Sequence, residues 1–237
     1  MKTHCTAGAR RLSSASIPAE STASTLLAAQ SWRGRVLKRG GDIVFSLLVL
    51  SLGSPLFLLL AVMVKLSSRG SIFYCQRRIG RGYKGFGCLK FRTMRRDADR
   101  VLAAMLDADP KLRAEFERDH KLKRDPRITP LGKFLRRSSL DELPQFINVL
   151  RGEMSVVGPR PIVWDELRRY GRSMDEVLAV RPGLTGLWQV SGRNNLTYRT
   201  RVRLDLTYVR SRSFWLDLGI VLRTIGVVLL PMDRGAY

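Results

Sequence analysis

DIVFSLLVLSLGSPLFLLLAVMVK (Asp42–Lys65) decides the architecture, because the 22 residues from Ile43 to Val64 carry no charge. A straight helix of that length would run ~33 Å at about 1.5 Å per residue, enough to cross a bilayer. Two features oppose a simple crossing. Gly53-Ser54-Pro55 falls in the middle, where proline removes a backbone donor and bends the helix. Arg33, Arg35, Lys38 and Arg39 precede the stretch and Lys65 and Arg69 follow it, so the positive-inside tendency puts both flanks on the cytoplasmic side. Each arm, 43–53 and 56–64, would reach only ~14–16 Å, about half the hydrocarbon thickness. The expectation is a re-entrant helix-break-helix hairpin, broken at Ser54 and Pro55, rather than a kinked span. Pro55 also frees a backbone carbonyl at membrane depth, which Ser54 or neighbouring protein would have to satisfy. A buried core helix fits poorly, because the stretch is apolar all round and over-long.

The composition narrows the partners. Among 237 residues, Lys and Arg number 42 against 20 Asp and Glu, a formal net charge of +22. That excess demands a polyanion: nucleic acid, an anionic membrane surface or phosphorylated small molecules. Cys5, Cys75 and Cys88 are odd in number and form no CxxC pair, which fits a reducing compartment better than a disulfide framework. His4 and His120 are the only imidazoles, which argues against a zinc site or a Ser-His-Asp triad. A metal here would be a hard cation held by oxygen, such as magnesium.

Outward from the apolar stretch, residues 1–31 are rich in Ala, Ser and Thr and read as a mobile tail. A signal peptide is disfavoured, since 25–29 is too short an apolar core. Residues 32–66 form the membrane hairpin and 67–237 a cytoplasmic globular domain. Within it SIFYC (71–75) reads as a strand, 76–94 as a glycine-punctuated hairpin ending in a basic strand, 101–122 as helix broken near Pro110, and 146–150 as helix. Residues 181–198 read as loop. Phe214, Leu218, Val221, Leu222, Ile225, Val228 and Leu229 form one helical stripe. Trp215 and Arg223 suit an amphipathic helix lying on the headgroups, and a helix packed on the domain core fits equally. Asp217 and Arg223 disfavour a second span. The chain is therefore expected to be α+β, predominantly helical and membrane-associated.

Chemistry points to SSLDELPQ (138–145), which sets Asp141 beside Glu142 after a run of arginines. Ser139-x-x-Glu142 matches a capping box, but Pro144 would then fall at the fifth helical position and Leu143, before proline, is pushed out of the helical region. An irregular backbone is expected instead. Arg136, Arg137, Arg151 and Arg160 surround the pair; cations keep a carboxylate ionised and bind phosphate. Arg160 lies between Pro159 and Pro161, which restrict the backbone and can aim a guanidinium. A proline-rich turn with an incidental arginine reads as well, and Lys90, Arg92 and Arg193 can equally be solvated surface charges.

KFRTM (90–94), DPRITPLGKFLRRSSLDELPQFINVLRGEMSVVGPRP (125–161) and RPGLTGLWQVSGRN (181–194) together resemble the bacterial sugar transferase family, the monotopic polyprenol-phosphate phosphoglycosyl transferases. The resemblance covers about five-sixths of the chain, from about Lys38 onward, in several long motifs in fixed order. IFYCQRR (72–78) and SFWLDLGIVLRTI (213–225) look nearest to the transferases of galactose 1-phosphate that initiate exopolysaccharide synthesis. The resemblance implies transfer of a sugar 1-phosphate from a UDP-sugar to undecaprenyl phosphate, with release of UMP, at the cytoplasmic face of the bacterial inner membrane. It implies Asp141 and Glu142 as catalytic dyad, Asp141 as the nucleophile forming an aspartyl phosphosugar, and magnesium bound nearby with Asp141 among its ligands. It implies Lys90, Arg92, Arg136, Arg160 and Arg193 as phosphate or nucleotide ligands, and a re-entrant helix broken at Ser54-Pro55.

The residue chemistry suits that reaction. A carboxylate is ionised at neutral pH and needs no base, and phosphoryl transfer depends mainly on positioning and charge neutralisation. Galactose is the expected sugar, with glucose the alternative; no nucleic-acid partner is expected, and a homo-oligomer is compatible with the sequence. A membrane-tethered nucleic-acid-binding protein is permitted by the charge, but no recognised module is present. A noncatalytic membrane scaffold is opposed by the intact dyad.

Overall fold

The structure, a computed structural model, describes residues 32–119, 122, 125–192 and 195–229. The expected tail, 1–31, lies outside them. Helices α1 (Trp32–Leu52) and α2 (Ser54–Ser67) meet at a 66° bend. The cause is local. Pro55 lacks the N–H that would bond the Ser51 carbonyl, and Ser54 Oγ donates to that carbonyl at 2.9 Å. Around the bend the ladder continues, with Gly53 N–H donating to Val49 O at 2.9 Å and Phe57 N–H to Gly53 O at 2.8 Å. A Cβ on Gly53 would stand 2.6 Å from Val49 O, so the bend needs a glycine there. No single helix among the described residues is long and apolar enough to cross a membrane; only the bent pair reaches that length and composition.

Strands β1 (Phe73–Ile79) and β2 (Gly85–Phe91) form one antiparallel hairpin, with Tyr74 opposite Lys90, Gln76 opposite Cys88 and Arg78 opposite Phe86. The first strand is thus longer than expected and absorbs the start of the stretch read as a separate hairpin. Gly82 and Tyr83, both at positive φ, turn the chain. Helices α3 (Ala98–Ala108) and α4 (Pro110–Asp119) break at Asp109, as the proline predicts. Then follow α5 (Pro130–Arg137), a 3-10 turn at Leu140–Glu142, α6 (Gln145–Arg151) and β3 (Ser155–Val157). Short helices α7 (Leu167–Tyr170) and α8 (Met174–Leu178) lead to β4 (Gly183–Thr185) and α9 (Leu187–Ser191). These last two replace the loop expected over 181–198: a strand of three residues and a helix of five carry too little periodicity to read. Helices α10 (Tyr198–Ser211) and α11 (Phe214–Leu229) close a predominantly helical α+β fold, as expected.

The apolar arms do not stand apart from the globular part. Phe45, Val49 and Leu50 of α1 pack on a core of Cys88, Phe146, Val149, Met154 and Ile220, and Leu60, Ala61 and Val64 of α2 share a second core with Phe91 and Leu135. The base of α1 is held by polar contacts. Asp42, 5% exposed, accepts from Val156 N–H at 3.1 Å and from Ser155 Oγ at 2.8 Å, and Arg39 donates to the Val149 and Leu150 carbonyls at 2.7 and 3.0 Å. Lys38 bridges Asp42 and Asp217, at 3.0 Å from each. On α11 Ile220 is buried, while Phe214, Leu218, Leu222 and Ile225 of the expected stripe are exposed. Val221 of the stripe packs on the core with Leu216 and Ile220, so the helix rests on the domain core, as one of the two readings has it, and leaves these four stripe residues bare.

Candidate active site

The dyad is placed by a chain of short-range devices. Asp125 and Arg127 form a buried fork, with Nε to Oδ1 at 2.8 Å and Nη2 to Oδ2 at 2.6 Å. It fixes the approach to α5, where Thr129 caps the helix by accepting from Gly132 N–H at 2.9 Å and Pro130 takes the first turn. A Cβ on Gly132 would lie 2.0 Å from Thr93 O, so glycine lets α5 touch the extension of β2. Arg136 at the end of α5 donates to Thr93 Oγ1 at 2.9 Å. Ser139 then adopts φ 57° and ψ 14°, left-handed for a non-glycine residue, and presents no side-chain cap. The capping-box reading fails; the backbone is irregular as expected, but the break is at Ser139, while Leu143 and Pro144 keep right-handed helical angles despite the proline. Asn148 of α6, fully buried, accepts from Leu89 N–H at 2.9 Å and donates to Gly87 O at 2.8 Å, locking the dyad to the strand that carries Lys90.

Lys90 Nζ lies 2.6 Å from Glu142 Oε1 and 4.0 Å from Asp141 Oδ2. Asp141 is 7% exposed, and burial pushes its carboxyl up to about 6; Glu142 adds to the rise while Lys90 and Arg136 oppose it. Burial also works to raise Glu142, but Lys90, Arg160 and Arg78 outweigh it and hold that carboxyl below its usual range. Two adjacent acids are thus driven apart, Glu142 held ionised and Asp141 raised to about 6.

The facing wall comes from β3 and β4, which pair in parallel. A Cβ on Gly183 would fall 2.1 Å from Gly158 N, so the two glycine motifs are in backbone contact. This contact brings Arg160 into a cleft shared with Lys90, Arg78 and Glu142. The Arg160 guanidinium lies 5.9 Å from the Trp188 ring centroid, with Arg201 at 4.9 Å from the same centroid. Three cations against one carboxylate on these walls leave the cleft positively charged, which suits an anion.

Of the expected ligands, Lys90, Arg136 and Arg160 gather around the dyad. Arg92 does not: its guanidinium donates to the carbonyls of Val64 and Ser68, at 3.2 and 2.6 Å, and to that of Ser71, closing the C-terminal end of α2. Arg193 lies outside the described residues. Arg78, Gln145 and Gln189 line the cleft without having been expected there. Strand alternation carries the signal for Arg78, because Tyr74, Gln76 and Arg78 share the hairpin face of Lys90. Arg78 also donates to Pro161 O at 3.0 Å, which steadies the turn bearing Arg160.

The described residues contain no cluster of three or more His, Cys, Asp or Glu side chains able to hold a metal. What the site offers is a carboxylate pair, one member held by Lys90.

The sequence matches the bacterial sugar transferase family over residues 33–231, and the chain belongs to that family of enzymes. It is 55% identical over 203 residues to an uncharacterized sugar transferase of Haemophilus influenzae, covering 86% of this chain and 42% of that protein. It is 50% identical over 204 residues to the exopolysaccharide production protein ExoY of Sinorhizobium fredii, covering 86% and 89%. To the undecaprenyl-phosphate galactose phosphotransferase of Salmonella typhimurium it is 51% identical over 203 residues, covering 86% and 42%. The aligned part thus spans about two fifths of the first and third of these relatives and most of the second.

Proposed function

We propose that this chain transfers galactose 1-phosphate from UDP-galactose to undecaprenyl phosphate, the first step of exopolysaccharide assembly. The observation that carries the reading is the buried Asp141 beside a Lys90–Glu142 ion pair, at the edge of a cationic cleft. Asp141 Oδ attacks the phosphorus bearing the sugar; the bond to the bridging oxygen breaks and UMP leaves with its electron pair. An oxygen of undecaprenyl phosphate then attacks the aspartyl phosphosugar, the Asp141–phosphorus bond breaks, and the carboxylate is regenerated beside undecaprenyl diphosphogalactose. A pKa near 6 leaves Asp141 ionised at neutral pH yet less tightly paired than Glu142, which suits a nucleophile. Lys90, Arg78 and Arg160 neutralise the phosphate oxygens, Arg136 supports Asp141, and Arg193 is assigned as a ligand by its motif alone.

A carboxylate pair without a third ligand fits magnesium, which keeps waters and substrate phosphates in its shell, better than a metal needing an all-protein cage. Asp141 would be its protein ligand. When bound it would neutralise charge on the diphosphate.

The bent α1–α2 pair is assigned as a re-entrant hairpin in the inner membrane, with residues 67–237 on the cytoplasmic face. Leu52, Leu58 and Leu66, 81%, 65% and 81% exposed, need an apolar surrounding, and the bare stripe of α11 suits the headgroup layer. Galactose is favoured over glucose because relatives named for galactose are 50–51% identical, whereas the UDP-glucose:undecaprenyl-phosphate glucose-1-phosphate transferase of Escherichia coli is 40% identical. The deciding measurement is UMP release by the purified chain in nanodiscs from UDP-galactose, with and without undecaprenyl phosphate. Turnover only with the lipid supports the assignment; no turnover with any UDP-hexose overturns it.

A further inference from the structure

Gln189 lines the cleft beside Glu142, Lys90 and Arg160, and its side chain is half committed. Nε2 donates to Leu184 O at 3.1 Å, which fixes the sense of the amide. Oε1, pointing the other way, is buried and accepts no hydrogen bond from the protein. Buried acceptors are nearly always satisfied, and an exception at a substrate cleft marks a place for a ligand donor. Oε1 packs against Gly186, where a Cβ would stand 2.9 Å away, so the glycine is what admits the amide in this position.

The chemistry of the walls says which donor fits. Lys90, Arg78 and Arg160 offer only N–H groups, suited to phosphate, and Glu142 is held by Lys90 at 2.6 Å. Gln189 Oε1 is a neutral acceptor, suited to a hydroxyl. In an in-line displacement the leaving UMP departs opposite Asp141, whereas the sugar oxygen and the two free phosphoryl oxygens are equatorial, so a cleft sharing Glu142 and Lys90 with the nucleophile lies on the side from which the sugar extends beside those oxygens. Resting on the reading of this chain as a sugar-phosphate transferase, we propose that Gln189 Oε1 accepts a hydrogen bond from one hydroxyl of the donor hexose and so sets sugar selectivity.

The test uses the full chain in nanodiscs with undecaprenyl phosphate, UDP-galactose and its 2-, 3-, 4- and 6-monodeoxy analogues. kcat/KM is taken from UMP release for wild type and Gln189→Met. One monodeoxy donor should lose about tenfold in wild type and less than about twofold in Gln189→Met, since a lost hydroxyl matters only while its acceptor is present. Should Gln189→Met fail to fold, judged by thermal unfolding, Gln189→Ala carries the same comparison. Equal penalties in wild type and the apolar variant, or no penalty in wild type, overturn the inference. So does a loss of discrimination seen only with a 2′-deoxyuridine donor, which would put Gln189 on the nucleoside. Wild type that turns over none of these donors overturns the transferase reading itself, and the assignment of Gln189 with it.

Discussion

Lys90 donates to Glu142 at 2.6 Å and approaches Asp141 no closer than 4.0 Å, so one ammonium neutralises a dyad unequally. Its charge lowers the pKa of both carboxyls. Lys90→Met should therefore raise both and move the acidic limb of the pH–rate profile upward. At pH 7 kcat should fall by about tenfold or more, with partial recovery toward pH 8.5 as Asp141 ionises again. A limb that stays in place would show that Lys90 does not tune the nucleophile.

Asp141→Asn should abolish transfer and stabilise the fold. The folded pKa of about 6 exceeds the ordinary aspartate value of 3.8, so the neutral carboxyl favours folding and ionisation opposes it. The penalty is absent below the unfolded pKa, grows as pH rises toward 6, and is complete above it. The variant should match wild type near pH 4 and exceed it at pH 8, by ~3 kcal/mol at most. Thermal unfolding at both pH values checks the sign, and intact-protein mass spectrometry should find a sugar-phosphate adduct on wild type alone.

Chelation with EDTA should stop turnover and magnesium should restore it, because the carboxylate pair suits only a hard cation shared with substrate. Full activity after exhaustive chelation refutes the metal assignment.

Asp42→Ala removes the acceptor of the Val156 N–H and one counter-charge of Lys38. Leaving a buried donor unpaired costs ~1–3 kcal/mol, so Tm should fall by several degrees. A Tm within one degree of wild type would mean that water reaches the site.

Cysteines introduced at Arg33 and Ser71, in a cysteine-free background, should both resist a membrane-impermeant maleimide on intact spheroplasts. Pro55→Leu restores the missing N–H, straightens the α1–α2 pair and should expose one of the two positions. Labelling of one position in the unmutated hairpin would establish a true crossing.

Much of this was legible in the residues. Pro55 announced the bend and Pro110 the break between α3 and α4, because proline acts through its own ring and missing donor, whereas the break at the dyad comes from Ser139 and not from Pro144, which sits in a helical turn. What could not be read depends on tertiary pairing. Arg92 looked like a site cation but faces the end of α2, and Arg78 entered the site because the hairpin register aligns it with Lys90. Asp42 gave no signal, since its partners Ser155 and Val156 lie 113 and 114 residues away. Strand β4 escaped because three residues carry no period; its place is set by Gly158 and Gly183, whose contact is a matter of backbone space.

The clamp at the base of α1 has a consequence for synthesis. Arg39 and Asp42 leave the ribosome first, and the groups they bind follow 110 to 114 residues later. At about 5–20 residues per second, that interval is roughly 6–22 s. For most of it the apolar arms are complete, while Arg39 lacks its carbonyl partners and Asp42 has Lys38 of the same helix. Under the proposed hairpin assignment, anchoring would precede closure of the catalytic unit, and the nascent chain would assemble its site already tethered to the membrane.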